Sequence, residues 1–468
     1  MEARAIKFRE PNLDFIRNQT TEIQYPIEGI QQFGPFDYNM SERVFGEVKF
    51  LVLTPNSQEY ITRIERLLNL VREGSGYFKG FQNEFHLDNV IIPDSSEFYL
   101  YELDNQDLLK AQINRLIREN DKYSESSRSL NIVLTSGPEH KIIRDTPRYD
   151  LMRRLLASEG YPEQFLSNYQ STYLKGSLAQ VDDNNFVYTL WNILIGIYSK
   201  LGGIPWTLKN PLAGKQAIDI SVGVRFARTE ERGNEKFTIG VATIFERFGR
   251  WRGINTLKYT EPQATSDHPS RSTGLYVPEE KAYELINFIV QRYERWKLGR
   301  RPNSVVIHKL GYYNKHELEG FRAGLEDEGI ESMALIEIVS DTGLRILNTK
   351  NERENVDRGF CKQISSDSAI LCTTGNQKYL FQGRERSVTH TVGTPKPLIV
   401  RIRLQKNCFD NPVIACKHVF ALTSLHWQYL WEVEDRLPAT LDFALKIAKL
   451  YSMNVIPHDN LLKTTWFL

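Results

Sequence analysis

Hydrophobic positions along the chain change period several times, and each change predicts an element. Between Gln58 and Glu73 apolar side chains recur at Tyr60, Ile61, Ile64, Leu67, Leu68 and Val71, the spacing of one helical face. Residues 107–120 repeat that spacing with Leu108, Leu109, Ile113 and Leu116. The polar run over 120–129 reads as a surface loop. A short apolar strand is predicted over 130–134, then a helix over 149–158 that buries Leu151, Met152, Leu155 and Leu156. A more apolar helix over 186–200 is stopped by Leu201-Gly202-Gly203 and Pro205. This alternation of strand and helix predicts a Rossmann-like layer.

Past Trp206 the pattern turns to strands, at 217–226 and 237–245, followed by a basic loop. A helix over 278–298 leads into a strand that opens at Ser304 with Val305, Val306 and Ile307. Further strands are predicted at 334–340 and 398–404, and a helix at 439–451. Hairpin strands followed by a helix–strand crossover fit a ribonuclease-H-like α/β sheet, although periodicity alone does not choose it over other mixed sheets. The expected organisation is an N-terminal segment (1–125), a Rossmann-like domain (126–206) and a ribonuclease-H-like domain (207–468).

Composition narrows the class. At 468 residues, 41% apolar and 25% charged, the chain has the make-up of an ordinary soluble protein of two or three domains. The N-terminus lacks the apolar core of a signal peptide, and the longest apolar stretch, near 190–198, is too short for a bilayer. The expectation is a cytoplasmic protein without a membrane partner. Cys361, Cys372, Cys408 and Cys416 form no C-x-x-C pair and read as free thiols. With 59 basic and 58 acidic residues, net charge +1, the chain is no generic nucleic-acid binder, but a balanced total can hide a basic groove.

One constellation suits a terminal phosphate. Tyr149 and Arg153 are four apart and share a helix face. Gln164 follows the Glu159-Gly160-Tyr161-Pro162 turn, and Lys200 ends the next helix beside Gly202 and Gly203. An arginine forks onto phosphate oxygens and a lysine adds a point charge. By spacing alone, a Tyr/Arg surface pair and a lysine at a helix C-terminus explain the same residues.

The stretch Tyr149 to Phe165 resembles the guide-end motif of Argonaute proteins, and Asn192 to Trp206, with Lys200-Leu-Gly-Gly, resembles its second half. The resemblance covers roughly residues 130–468. It implies a MID domain followed by a PIWI domain, with Tyr149, Arg153, Gln164 and Lys200 holding the 5′-phosphate of a guide strand. Arg153 stands where the family often has lysine, and Gly196 where many members have a polar or basic residue. The chain ends Trp466-Phe467-Leu468, like the apolar tails whose terminal carboxylate helps hold a divalent ion in the family. That implies a Mg²⁺ held in part by the Leu468 carboxylate, since a carboxylate beside phosphates needs a cation between them.

Nuclease members carry a cluster of acids for two metal ions. The positions that match them here are Arg225, Leu310 after His308-Lys309, and Leu445 after Phe443-Ala444. All three lack a ligand atom for a metal, so the resemblance implies a PIWI domain that does not cut. Arg225 would repel a metal and attract a phosphate. Asp219 lies six residues earlier, roughly 20 Å away on an extended strand.

Arg247-Phe-Gly-Arg-Trp-Arg252 and Arg292-Tyr-Glu-Arg-Trp-Lys297 interleave arginine with aromatics, a pattern suited to backbone charge and base contact. Arg247, Arg250 and Arg252 are expected to line a nucleic-acid groove. So are Arg401, Arg403 and Arg436, which lie in blocks resembling the family's second half. The short stretch before the MID domain, with Glu10-Pro-Asn-Leu-Asp-Phe15 and Gly29 to Asp37, looks like the short prokaryotic Argonautes. That group implies a guide RNA, a single-stranded DNA target and a partner with an APAZ domain. The partner carries a sirtuin-like (favoured) or TIR NAD hydrolase, or a nuclease, and target recognition leads to NAD depletion. Two other classes stay open: a guide-directed endonuclease with unrecognised ligands, and a scaffold with little nucleic-acid affinity of its own.

Overall fold

The computed structural model describes residues 5–15, 21–38, 45–120, 123–124, 129–137, 147–166, 184–230, 236–260, 276–348, 355–388, 394–428 and 437–468. The chain folds as a mixed α/β protein around two sheets. The first is centred on Glu47–Pro55 and Ser129–Ser136, which pair in parallel. Asn89–Ile91 and Tyr99–Tyr101 add in parallel to the former strand, and Glu163–Leu166 to the latter.

Both central strands are near-continuous apolar runs, as parallel strands covered on two faces must be. Phe50, Val52, Ile132 and Leu134 face the helices Gln58–Glu73 and Asn184–Lys200. Leu51, Leu53 and Val133 face Gln106–Glu119 and Pro147–Ser158. The Rossmann-like layering is therefore present, but the boundary expected at 125/126 falls inside this sheet. Four of its six strands come from residues assigned to the N-terminal segment, because a lone strand at 129–136 could not bury both faces. The loop expected at 120–129 holds a two-residue strand, Tyr123–Ser124, antiparallel to Ser129–Ser136.

The second sheet has nine strands. Ser304–Leu310 lies at its middle, parallel to Ile220–Glu230 on one side and to Ser332–Val339 on the other. Lys236–Glu246 and Trp251–Thr260 extend it as antiparallel hairpins. The last of these strands was expected as part of a basic loop; only the turn at 247–250 is a loop. Leu398–Lys406 continues the other side, and Ile6–Lys7, from the N-terminal segment, closes that edge against Phe360–Gln363. Helices Glu279–Trp296 and Lys315–Asp327 cover one face. Pro412–Leu422 and Ala439–Ser452 cover the other, in a core continuous with that of the first sheet.

The second face is pinned by polar contacts. His418 is fully buried: its Nδ1 is 3.1 Å from the Ala213 carbonyl and its Nε2 3.0 Å from the Ser221 hydroxyl. A carbonyl only accepts, so Nδ1 carries the proton and Nε2 accepts from Ser221. The His308 ring packs edge-on against it, 5.2 Å between centroids. Burial, opposed only by the Ala213 carbonyl, pushes the His418 imidazole down to about 4. The unfolded chain binds this proton below about pH 6.5 and the folded chain does not, so stability falls as pH drops from about 6.5 towards 4. The shift corresponds to a loss on the order of 3 kcal/mol. Urea midpoints measured from pH 7 to 4.5 should fall, and His418→Asn should flatten that slope.

Candidate functional site

The four residues expected around a terminal phosphate gather about a fifth, Glu163. Tyr149 and Arg153 share a face of Pro147–Ser158, with the guanidinium 5.7 Å from the ring centroid. The Tyr149 hydroxyl donates to Glu163 Oε1 at 3.1 Å and the Thr135 hydroxyl to Oε2 at 3.2 Å. Arg153 Nε lies 3.6 Å from the same carboxylate. Lys200 Nζ donates to the Glu163 carbonyl at 2.7 Å and to Gln164 Oε1 at 3.0 Å. Glu163 thus links two half-sites, its side chain holding Tyr149 and Arg153 and its backbone holding Lys200. Nothing in the spacing marked it, since a glutamate after Pro162 also reads as turn polarity. A Cβ on Gly196 would meet Gln164 Oε1 only at 3.7 Å, so the missing side chain leaves room there.

The C-terminal tail reaches this group. Arg153 Nη2 donates to the Phe467 carbonyl at 3.3 Å, and the Thr465 hydroxyl donates to the Ser199 carbonyl at 2.8 Å. Trp466, Phe467 and Leu468 are buried, with the Phe467 ring packed on Trp251 and Phe443. A cavity of about 100 Å³ opens between Tyr149, Arg153 and Phe467 on one side and Gln428, Lys446 and Lys449 on the other. Gln164 and Lys200 do not line it. The two lysines come from Ala439–Ser452 and were missed in the sequence. Their i, i+3 spacing on the last helix was the available signal. Lys446 is braced by Asp442 at 2.7 Å and Gln428 at 3.0 Å. Burial pushes the Asp442 carboxyl up, but Lys446 and then His426 outweigh it and hold it below the ordinary carboxylate range.

Two of the positions matching nuclease ligands lie side by side, and the helix bearing the third packs on their face of the sheet. Val224 and Lys309 are register partners on parallel strands, so Arg225 and Leu310 follow side by side on the face opposite the Glu279–Trp296 helix. Helix Ala439–Ser452, which carries Leu445, packs on that same face. It approaches so closely that a Cβ on Gly223 would sit 2.0 Å from the Thr440 carbonyl oxygen. Thr440 also takes the Thr243 hydroxyl on its carbonyl at 2.5 Å, and its own hydroxyl shares a hydrogen bond with His308 Nδ1 at 2.9 Å. Lys309 points the other way, into an ion pair with buried Glu317 beneath Tyr276 and Tyr313. Asp219 is committed at the far end of its strand, accepting from Arg247 at 2.5 Å and from the Asn303 amide at 2.9 Å.

The two basic–aromatic stretches meet. The hairpin turn of Arg247–Arg252 faces the end of Glu279–Trp296 across two clefts of about 540 and 660 Å³, with Arg250 on the wall of both. The Arg252 and Arg292 guanidiniums lie 5.6 and 5.3 Å from the Trp296 ring centroid. Gly202 and Gly203 line the smaller of these clefts, not the cavity beside Arg153. Arg401 and Arg403, expected in the same groove, line neither cleft. They sit on Leu398–Lys406 beside Glu337, at 3.7 and 4.0 Å, because their strand pairs on the other side of the sheet. Arg436 lies outside the described residues.

A two-layered α/β chain with a ribonuclease-H-like sheet, a cation-lined cavity and a buried tail defines a class, and comparison gives it a family. The Piwi domain model matches residues 147–455. That is well over half of the chain, and the chain belongs to this family. It is 26% identical over 274 residues to "Protein argonaute" of Cereibacter sphaeroides, covering 55% of this chain and 32% of that protein. Among solved structures it is similar to Clostridium butyricum Argonaute bound to a guide DNA and a 19-mer target DNA. That match has a TM-score of 0.72 and 21% identity over 99% of this chain and 55% of the other. Aquifex aeolicus Argonaute superposes with a TM-score of 0.62 at 18% identity, covering 100% of this chain and 56% of that one. The chain thus spans about half the length of these structural relatives and a third of the curated one. No described helix is long and apolar enough to cross a membrane.

Gly223→Ala should lower the melting temperature, with a cost on the order of 1–3 kcal/mol from the clash with Thr440. Hydrogen exchange in residues 439–452 should accelerate in this variant; unchanged exchange there would show that the helix is not seated through this contact.

Proposed function

We propose that this chain is a short Argonaute of the prokaryotic type that holds a 5′-phosphorylated guide, recognises a complementary strand and leaves catalysis to a partner. The observation that carries the reading is the cavity beside Tyr149 and Arg153, which Lys446 and Lys449 face from the Piwi half and Phe467 closes. Cations from two layers around one small opening suit a terminal phosphate, whose oxygens accept several charge-assisted hydrogen bonds. In this reading Arg153 forks onto the phosphate, the two lysines neutralise its charge, and Lys200 with Gln164 holds the adjoining strand end. Pairing then reads the sequence, as in other guided systems, while the protein holds backbone shape.

A Mg²⁺ ion belongs to this reading, and the groups that would hold it are Gln164 Oε1, which keeps a lone pair beside its bond from Lys200, and the Leu468 carboxylate, both hard oxygen donors. When bound, the ion supplies positive charge between the first guide phosphates. Against cutting stands the face formed by Arg225, Leu310 and the helix bearing Leu445, three positions without a carboxylate or imidazole. The proposed guide is RNA and the target single-stranded DNA. The proposed partner is an APAZ-domain protein with a NAD-hydrolysing effector, sirtuin-like before TIR, acting in the cytoplasm to deplete NAD.

Affinity for guides with 5′-phosphate and 5′-hydroxyl ends tests the pocket. The phosphorylated guide should bind at least tenfold tighter, and Arg153→Ala should remove most of that preference, at about 1.5–3 kcal/mol per charged contact, while Lys200→Ala should weaken binding of both guides. Equal affinity for the two ends would sink the reading. Guide, labelled target and Mg²⁺ or Mn²⁺ should yield no cleavage, and Leu310→Asp alone should not create it, because two further ligands are lacking. Target-dependent NAD loss by the co-expressed pair separates recognition from a scaffold role.

A further inference from the structure

The smaller cleft between the two basic–aromatic stretches lies away from the guide cavity. Ile220 pairs with Glu246, so the 247–250 turn stands at the start of strand Ile220–Glu230. Arg225 is five residues further on, roughly 17 Å along the strand. The cleft therefore opens at the sheet edge opposite the positions that match nuclease ligands. The C-terminal tail separates it from the guide cavity, since Lys463, Thr464 and Thr465 line the cleft and Phe467 lines the cavity.

The cleft is built for an anion. Arg250, Arg252, Arg292, Arg295 and Lys463 line it, against one carboxylate, Asp37, which is buried and accepts from the Tyr198 hydroxyl and the Ile204 amide. Glu246, from the neighbouring cleft, pairs with Arg252. Two buried donors point to a ligand as well. Ser199 and Trp251 line the cleft, and the Ser199 hydroxyl and Trp251 indole N–H have no hydrogen-bond partner among the described residues. A buried donor left unmade is costly, so such groups are normally met by an acceptor. Burial, and then the neighbouring charge of Arg295, work against the Arg292 guanidinium, a conflict that a bound anion relieves.

We infer that this cleft is a second nucleic-acid site, taking the phosphate backbone of a single strand at the sheet edge remote from the guide cavity. Four of its five cations are arginine, the side chain whose planar fork matches phosphate oxygens. Phe288 is exposed on its rim as a face for a base. Arg250 also lines the larger cleft, where Lys209 and Arg300 add charge beside the Arg247–Asp219 and Lys297–Glu246 pairs, with Asp14 also on its wall. Cations spread over two adjoining clefts suit a polyanion better than a short acidic peptide. The inference does not depend on the guide reading.

The test is binding of labelled dT20 and rU20 with 5′-hydroxyl ends, which offer no terminal phosphate, over a salt series. Arg295 and Lys463 are exposed, so the R295E/K463E double variant keeps the fold. It should bind these strands at least tenfold more weakly, with a shallower salt dependence, and retain the wild-type preference for a 5′-phosphorylated guide. Affinity equal to wild type would overturn the site. Loss of the 5′-phosphate preference in the same variant would overturn its separateness from the guide cavity. Displacement of dT20 by poly-glutamate at matched charge would assign the cleft to an acidic polypeptide instead.

Discussion

The close seat of helix Ala439–Ser452 on strand Ile220–Glu230 is the constraint on which the other functional features depend. It exists because Gly223 has no side chain, and the Thr440 carbonyl occupies the space a Cβ would take. Thr243 and His308 then fix Thr440 from two neighbouring strands. Once the helix is seated, its residues are distributed by helical geometry. Leu445 is left exposed on a helix that covers the face of Arg225 and Leu310, while Lys446 and Lys449 reach Tyr149 and Arg153 in the other layer. The tail that follows packs Phe467 on Phe443 and Trp251 and delivers its carbonyl to Arg153.

This arrangement couples the two layers chemically. The cavity beside Arg153 has cations from both, so neither forms it alone. Glu163 adds an internal anion that keeps Tyr149 and Arg153 oriented and holds Lys200 through its backbone. On the ribonuclease-H-like sheet, Arg225 and Leu310 stand side by side under the helix that carries Leu445. Several carboxylates near that sheet are held by cations: Asp219 by Arg247, Glu317 by Lys309, Asp442 by Lys446. Burial makes each of these pairs costly to break, since an unpartnered charge would be left behind.

Much of the architecture was legible before the fold was known. The helix at Gln58–Glu73 matches its apolar periodicity, and the strand at Ser304–Leu310 its β-branched run. The domain boundary was not legible, because a sheet whose central strands pair residues 82 apart, Glu47 with Ser129, leaves no local mark at the seam. The strand Trp251–Thr260 was hidden by the arginines beside it. Arg401 and Arg403 looked like the other basic residues, but strand order placed them by Glu337.

Taken alone, the sequence determined which residue types are available: the Tyr149–Arg153 helix face, the arginine at 225 and leucines at 310 and 445, and two arginine–aromatic stretches. These are properties of composition and short-range period, which a chain carries in any conformation. Only the tertiary structure decided their company. It brought Lys446 and Lys449 to Arg153 and set Glu163 between the half-sites. It turned the two basic stretches towards each other at the edge away from Arg225. Each of these depends on contacts between residues far apart in the chain, and such contacts are set by packing across layers rather than by any local pattern.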